Sequence, residues 1–124
     1  MVECLIVGMG GFIGAVCRYL LGQIPLQNNC PFPLKTFFIN ILGAFVIGII
    51  AASALKNHSI SPRTVLFLKV GICGGFTTFS SFALETGELL KSGNIGMGFL
   101  YAVLSVIAGI LAVFAGEMII SCRS

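Results

Sequence analysis

Hydroxyl, amide and aromatic residues gather where this chain is otherwise most apolar. The run Gly74–Phe82, GGFTTFSSF, puts two glycines, four hydroxyl residues and three phenylalanines into nine positions. That composition makes a weak helix and a poor lipid-facing surface. Asn40 lies within an apolar stretch, where an amide needs a partner. Tyr101 and Ser105 are four apart, so on a helix they form one hydroxyl line, with Gly109 a gap one turn further on. Phe79 and Phe82, three apart, also share a helix face, with Ser80 and Ser81 between them. The functional groups in this set are mostly hydrogen-bond donors and ring edges, the latter carrying the positive part of the aromatic quadrupole. No Asp or Glu joins them at mid-membrane depth, so a cation route would lack its usual acidic ring. Arg18, near the end of the first apolar run, either draws anions toward a mouth or snorkels to an interface. Donors, ring edges and a basic mouth suit a small, hard anion. No nucleophile–base pair is recognisable, so enzymatic chemistry is not expected.

The elements that must hold these residues follow from composition. Of 124 residues, 57% are hydrophobic and only 9% charged, and the mean hydropathy is +1.08. A soluble domain would need far more polar residues to cover its outside. The apolar residues fall in four long runs, each close to the roughly 20 residues that cross a bilayer. The expected fold is all-α and integral to the membrane. It is a single domain over 1–124, with spans near 2–24, 34–55, 64–90 and 95–120. The first run is read as a retained span and not a signal peptide, because Glu3 stands where a basic region belongs and no clear cleavage site follows. Gln27–Pro33, Lys56–Arg63 and Ser92–Asn94 read as short links, with His58 a solvated loop residue. Function must therefore reside within the membrane. A net charge of +3 argues against nucleic acid as a partner. Cys4, Cys17, Cys30, Cys73 and Cys122 are scattered without a CxxC pair and read as small apolar filler.

Short links make consecutive spans antiparallel neighbours. Small residues recur at four-residue spacing: Gly10 and Gly14, Ala44 and Gly48, Gly71 and Gly75, then Ala108, Ala112 and Gly116. Faces of this kind let helices approach closely in lipid. Four short helices enclose little space, which favours a homo-oligomer. The basic residues divide almost evenly, with Lys56, Arg63, Lys69 and Arg123 on one side and Arg18, Lys35 and Lys91 on the other. Orientation is set by a bias in such charges. Here either both orientations insert or a weak bias fixes one.

Gly74 comes about 11 residues into the third span, or about 16 Å, close to the midplane. Two readings fit its glycines and threonines. In one, the helix breaks and its freed carbonyls coordinate a cation. In the other, the helix continues, packs tightly through Gly74 and Gly75, and its threonines bond back to the backbone.

Three motifs carry a resemblance across essentially the whole chain: GGFIGAVCRY (Gly10–Tyr19), KTFFINILGAFVIG (Lys35–Gly48) and GGFTTFSSF (Gly74–Phe82). With these, the chain resembles the small bacterial fluoride channels of the Fluc (CrcB) family. The resemblance implies an antiparallel, dual-topology homodimer in the plasma membrane, the inner membrane of the cell, with two pores and a break in the middle of the third helix. It implies a structural sodium ion (Na+) at the dimer centre, held by backbone carbonyls of Gly74 and Thr77. It implies that Phe79 and Phe82 turn ring edges to fluoride. Asn40, Ser81, Tyr101 and Ser105 would line the pore and Arg18 its vestibule. Glu85 matches an acidic position of the family, and the resemblance by itself implies no role for it. Two residues depart from the pattern: Gly109 stands where a hydroxyl is common, and Lys35 where glycine commonly precedes Thr36.

The expected function is passive export of fluoride, conferring fluoride resistance. A proton-coupled multidrug exporter would need a carboxylate deep in the first span, whereas Glu3 is at its start. A non-transporting assembly subunit, whose polar residues merely join helices, is the other alternative.

Overall fold

The computed structural model describes residues 1–26 and 29–123. Gln27 and Asn28, part of the first expected link, lie outside the described residues. The chain is helical, and four of its segments are long and apolar enough to cross a membrane. Helix α1 is Val2–Gly22 and α2 is Leu34–Lys56. The third span, Pro62–Lys91, contains two helices. Helix α3 covers residues 62–76: an opening turn Pro62–Val65, a π-helical stretch Leu66–Cys73 and a last turn Gly74–Phe76. Helix α4 is Phe79–Lys91, and α5 is Ile95–Ser121.

The helix ends follow local chemistry. Helix α1 stops at Gly22, short of Ile24, because the amides of Gln23 and Ile24 turn back to Leu20 O and Leu21 O ahead of Pro25. The third span begins two residues earlier than expected, at Pro62. Ser61 caps it by accepting from the Thr64 amide at 3.1 Å, and proline suits the first helical position. At the end of α4, Gly93 takes φ +87°, and the Gly93 and Asn94 amides reach back to Leu90 O and Leu89 O. That is a Schellman closure, which makes the reversal into α5 tight.

Helix α2 supplies two lysines that serve other helices. Neither α1 nor α5 has a basic residue in its last turn. Lys35 Nζ donates to Gly22 O at 2.8 Å, and Lys56 Nζ donates to Ile120 O and Arg123 O at 2.9 and 2.7 Å. An ammonium there satisfies free carbonyls and offsets the negative end of the helix dipole.

Packing runs through glycine. A Cβ on Gly10 would meet Phe67 O at 2.6 Å, and one on Gly75 would meet the Cα of Gly11 at 2.9 Å, so α1 lies backbone to backbone on α3. Gly48 faces the Val113 backbone and Gly116 faces Phe45 O, which joins α2 to α5 in the same way. Gly98 admits Leu90, bringing α4 against α5. Close approach of this kind gains dispersion contact where lipid offers no hydrophobic driving force. The fully buried side chains are correspondingly few. Tyr101 is 0% exposed, while apolar residues such as Leu5, Phe12, Phe99 and Leu111 face outward, as a lipid solvent requires.

Gly75→Val is expected to abolish recovery of folded protein after detergent extraction, because rigid backbone occupies the Cβ position. Gly96→Ala, where a Cβ meets nothing within 4 Å, should be neutral. Size-exclusion profiles of the two variants check this, and a monodisperse Gly75→Val peak would show that α1 does not pack there.

Candidate functional site

The site is built around residues 77 and 78, which join α3 to α4. Thr77 has φ −79° and ψ 156°, and Thr78 has φ −146° and ψ 109°, both extended. Each threonine caps the helix beside it. The amide and hydroxyl of Thr77 both donate to Cys73 O, at 3.0 and 2.9 Å, closing α3. The Thr78 hydroxyl accepts from the Ser81 amide at 3.2 Å, opening α4, and donates to Ser81 Oγ at 3.0 Å. β-branched residues suit extended backbone, and their hydroxyls serve the helix ends.

The peptide of Thr78 still needs partners, and Asn40 of α2 supplies them. The Thr78 amide donates to Asn40 Oδ1 at 2.7 Å, while Asn40 Nδ2 donates to Thr78 O at 3.1 Å. The side-chain amide thus repeats the donor–acceptor pattern of a neighbouring strand. Its second Nδ2 hydrogen lies beyond this pair. Gly43, one turn along α2, makes room for Thr77 and Phe76 against the same face.

A cavity of about 230 Å³ lies against this pair, lined by Asn40, Thr77, Thr78, Phe79, Phe82, Ser105 and Val106. Ser105 Oγ is buried there without a hydrogen-bond partner. Phe79 and Phe82 stand with ring centroids 5.5 Å apart, tilted by 52°, and Phe79 is 78% exposed. Phe82 meets Tyr101 edge-on at 5.2 Å, and Phe32 approaches the Tyr101 ring at 5.2 Å.

Tyr101 leads from this cavity to a second. Its hydroxyl donates to Glu85 Oε2 at 2.7 Å, and the Thr36 hydroxyl donates to Glu85 Oε1 at 2.6 Å. Both carboxylate oxygens are therefore held by charge-assisted bonds. Glu85, Thr36, Lys35 and Phe32 contribute to the walls of a cavity of about 230 Å³ toward the N-terminal end of α2.

The structure thus brings Asn40, Phe79, Phe82 and Ser105 around one cavity, with Tyr101 behind Phe82. Ser81 belongs to the cap of α4 and not to the cavity wall. Arg18 sits on the α1 side, where its Nε donates to Gly75 O at 3.3 Å. Gly74 is in the last turn of α3 and Thr77 is in the junction itself. Sequence alone assigns no role to three contributors: Thr78, Thr36 and Glu85. The signal available was helical spacing, since Thr36 is one turn before Asn40 and Glu85 is three residues after Phe82.

Comparison with known proteins gives a consistent result. The family model described as CrcB-like protein, Camphor Resistance (CrcB), matches residues 5–117. A protein of Chlorobium chlorochromatii named fluoride-specific ion channel FluC is 45% identical over 119 residues, covering 96% of this chain and 91% of the relative. Proteins of the same name from Chlorobaculum tepidum and Rhizobium meliloti are 41% and 44% identical. They cover 96% and 94% of this chain, and 94% of each relative.

Asn40→Ala should free the Thr78 peptide. Losing partners of this kind costs about 1–3 kcal/mol, so amide exchange over residues 74–82 should accelerate roughly 10–100-fold. Hydrogen–deuterium exchange in detergent reads this directly, with residues 105–116 as the internal control. Unchanged protection would mean that Asn40 does not hold the junction.

Proposed function

The chain belongs to the CrcB-like family, and from that membership we infer that it is a fluoride-specific ion channel of the cell membrane. It is a multi-pass membrane protein and not an enzyme. The observation that carries the reading is the match of proteins named fluoride-specific ion channels along nearly the whole chain. The geometry supports a route for the anion. The rings of Phe79 and Phe82, the unpartnered Ser105 hydroxyl and the Asn40 amide line one cavity. These are donors for a small, hard anion, placed where the membrane supplies none.

The role is set by acid–base chemistry. Hydrogen fluoride is a weak acid that crosses membranes in its neutral form and dissociates in a less acidic cytoplasm. A passive channel lets the trapped fluoride leave down its electrochemical gradient.

The working unit in this reading is an antiparallel homodimer. Gly74, Phe79 and Ser80 are exposed on a single chain at membrane depth, which supports a second copy covering them. The near-even division of basic residues supports both orientations inserting. The break in the third span would hold a sodium ion at the dimer centre. A continuous helix would turn the amides of Thr78 and Ser81 toward the carbonyls of Gly74 and Thr77. Those amides instead serve Asn40 Oδ1 and Thr78 Oγ1. Carbonyl oxygens released in this way are the hard ligands that a small cation takes, so Gly74 and Thr77 fit the ion. When bound, sodium supplies a fixed positive charge that ties the two copies together.

A proton-coupled exporter finds no support in Glu3 or Glu85. Glu3 is at the start of α1 and pairs with Arg63 at 3.8 Å, and Glu85 is held by two hydroxyls. The assembly-subunit reading predicts the same stability for the dimer but no flux.

Fluoride efflux from proteoliposomes, with valinomycin carrying potassium and chloride as the control anion, tests the function. Rapid fluoride loss with little chloride loss is expected. Phe79→Ile and Phe82→Ile should slow fluoride about tenfold or more while the dimer persists, by loss of donor ring edges from the cavity wall. Full flux in both variants would remove the rings from the path.

A further inference from the structure

Glu85 creates a difficulty for an anion path. It lines the cavity toward the N-terminal end of α2, and the hydroxyls of Thr36 and Tyr101 satisfy its oxygens without cancelling its charge. Among the described residues no cation pairs with it directly. An anion entering here would meet a carboxylate first.

Among the described residues, Lys35 is the one basic residue lining that same cavity. Its ammonium is tethered, since Nζ donates to Gly22 O at 2.8 Å, and this bond fixes the charge at the C-terminal end of α1. An ammonium has three N–H donors, and among the described residues this is the one bond it makes. Arg18 does not fill this position, because it does not line this cavity and its Nε reaches Gly75 O instead. We propose that Lys35 is the charge that draws fluoride into this mouth of the path and offsets the field of Glu85.

The inference rests on the channel reading, and its experiment separates the two. A charge acting across several ångströms of water changes local anion concentration by about threefold. Salt at about 1 M screens it within about 3 Å, against about 30 Å at 0.01 M. Fluoride efflux is therefore measured at both ionic strengths, set with a salt of a large impermeant anion. The comparison includes the wild type, Lys35→Gln, Lys35→Arg and Lys91→Gln. Lys91→Gln removes the same charge from the same side of the membrane but does not line the cavity.

The expected result is that Lys35→Gln slows efflux about threefold at low salt and hardly at all at high salt. Lys35→Arg and Lys91→Gln should keep wild-type rates. Equal slowing of Lys35→Gln at both salts, with a lowered melting temperature, would overturn the proposal and leave Lys35 as a cap of α1. Equal slowing of Lys35→Gln and Lys91→Gln at low salt would also overturn it, as a general surface-potential effect. Unchanged Lys35→Gln would overturn it outright. Absence of fluoride loss from the wild type would instead sink the channel reading.

Discussion

An open peptide inside a membrane has to be satisfied by protein, and the bond between Asn40 and Thr78 meets that requirement. Lipid cannot bond the N–H and C=O that a broken helix releases. One primary amide answers both groups of Thr78 at once. The two threonines serve the ends of α3 and α4, so the interruption is bonded from three directions. Once the break is stable, Phe79 and Phe82 start a new helix with its own direction and bring their rings beside Asn40 and Ser105. The aromatic wall is a consequence of how the peptide is satisfied.

Glycine is the second constraint. Helices α1 and α3 touch through backbone, as do α2 and α5, and few side chains are buried between helices, Tyr101 most completely. That economy goes with the two cavities beside Tyr101's neighbours in a chain of only 124 residues. Tyr101 connects them, with its hydroxyl on the acid of one and its ring on the phenylalanine of the other.

Much of this was legible in the residues. Four apolar runs give four spans because a bilayer tests length and hydropathy and little else. The small-residue spacings mark the faces that meet, since only glycine or alanine admits a neighbouring backbone. Asn40 was conspicuous because an amide in hydrocarbon needs a partner, but sequence does not name that partner. Thr78 lies 38 positions away and becomes its match only through packing. Glu85 is harder still. Near a span end it reads as an interfacial acid, and only the fold shows two hydroxyls from different helices closing on it. Arg18 read either as a residue of the mouth or as one snorkelling to an interface, and spacing could not show that its side chain bonds Gly75.

The order of pairing bears on how the chain is made. Helix α1 has its glycine face matched by α3, and α2 has its own matched by α5, so neither early helix meets its main partner when it leaves the ribosome. Each must enter the bilayer as an independent, self-bonded cylinder and wait. Lys56, which holds the carbonyls of Ile120 and Arg123, finds them only after the last helix has been synthesised. Insertion and packing are therefore separate events for this protein. In the interval the growing chain presents bare glycine grooves to lipid, and any other membrane helix can occupy them first.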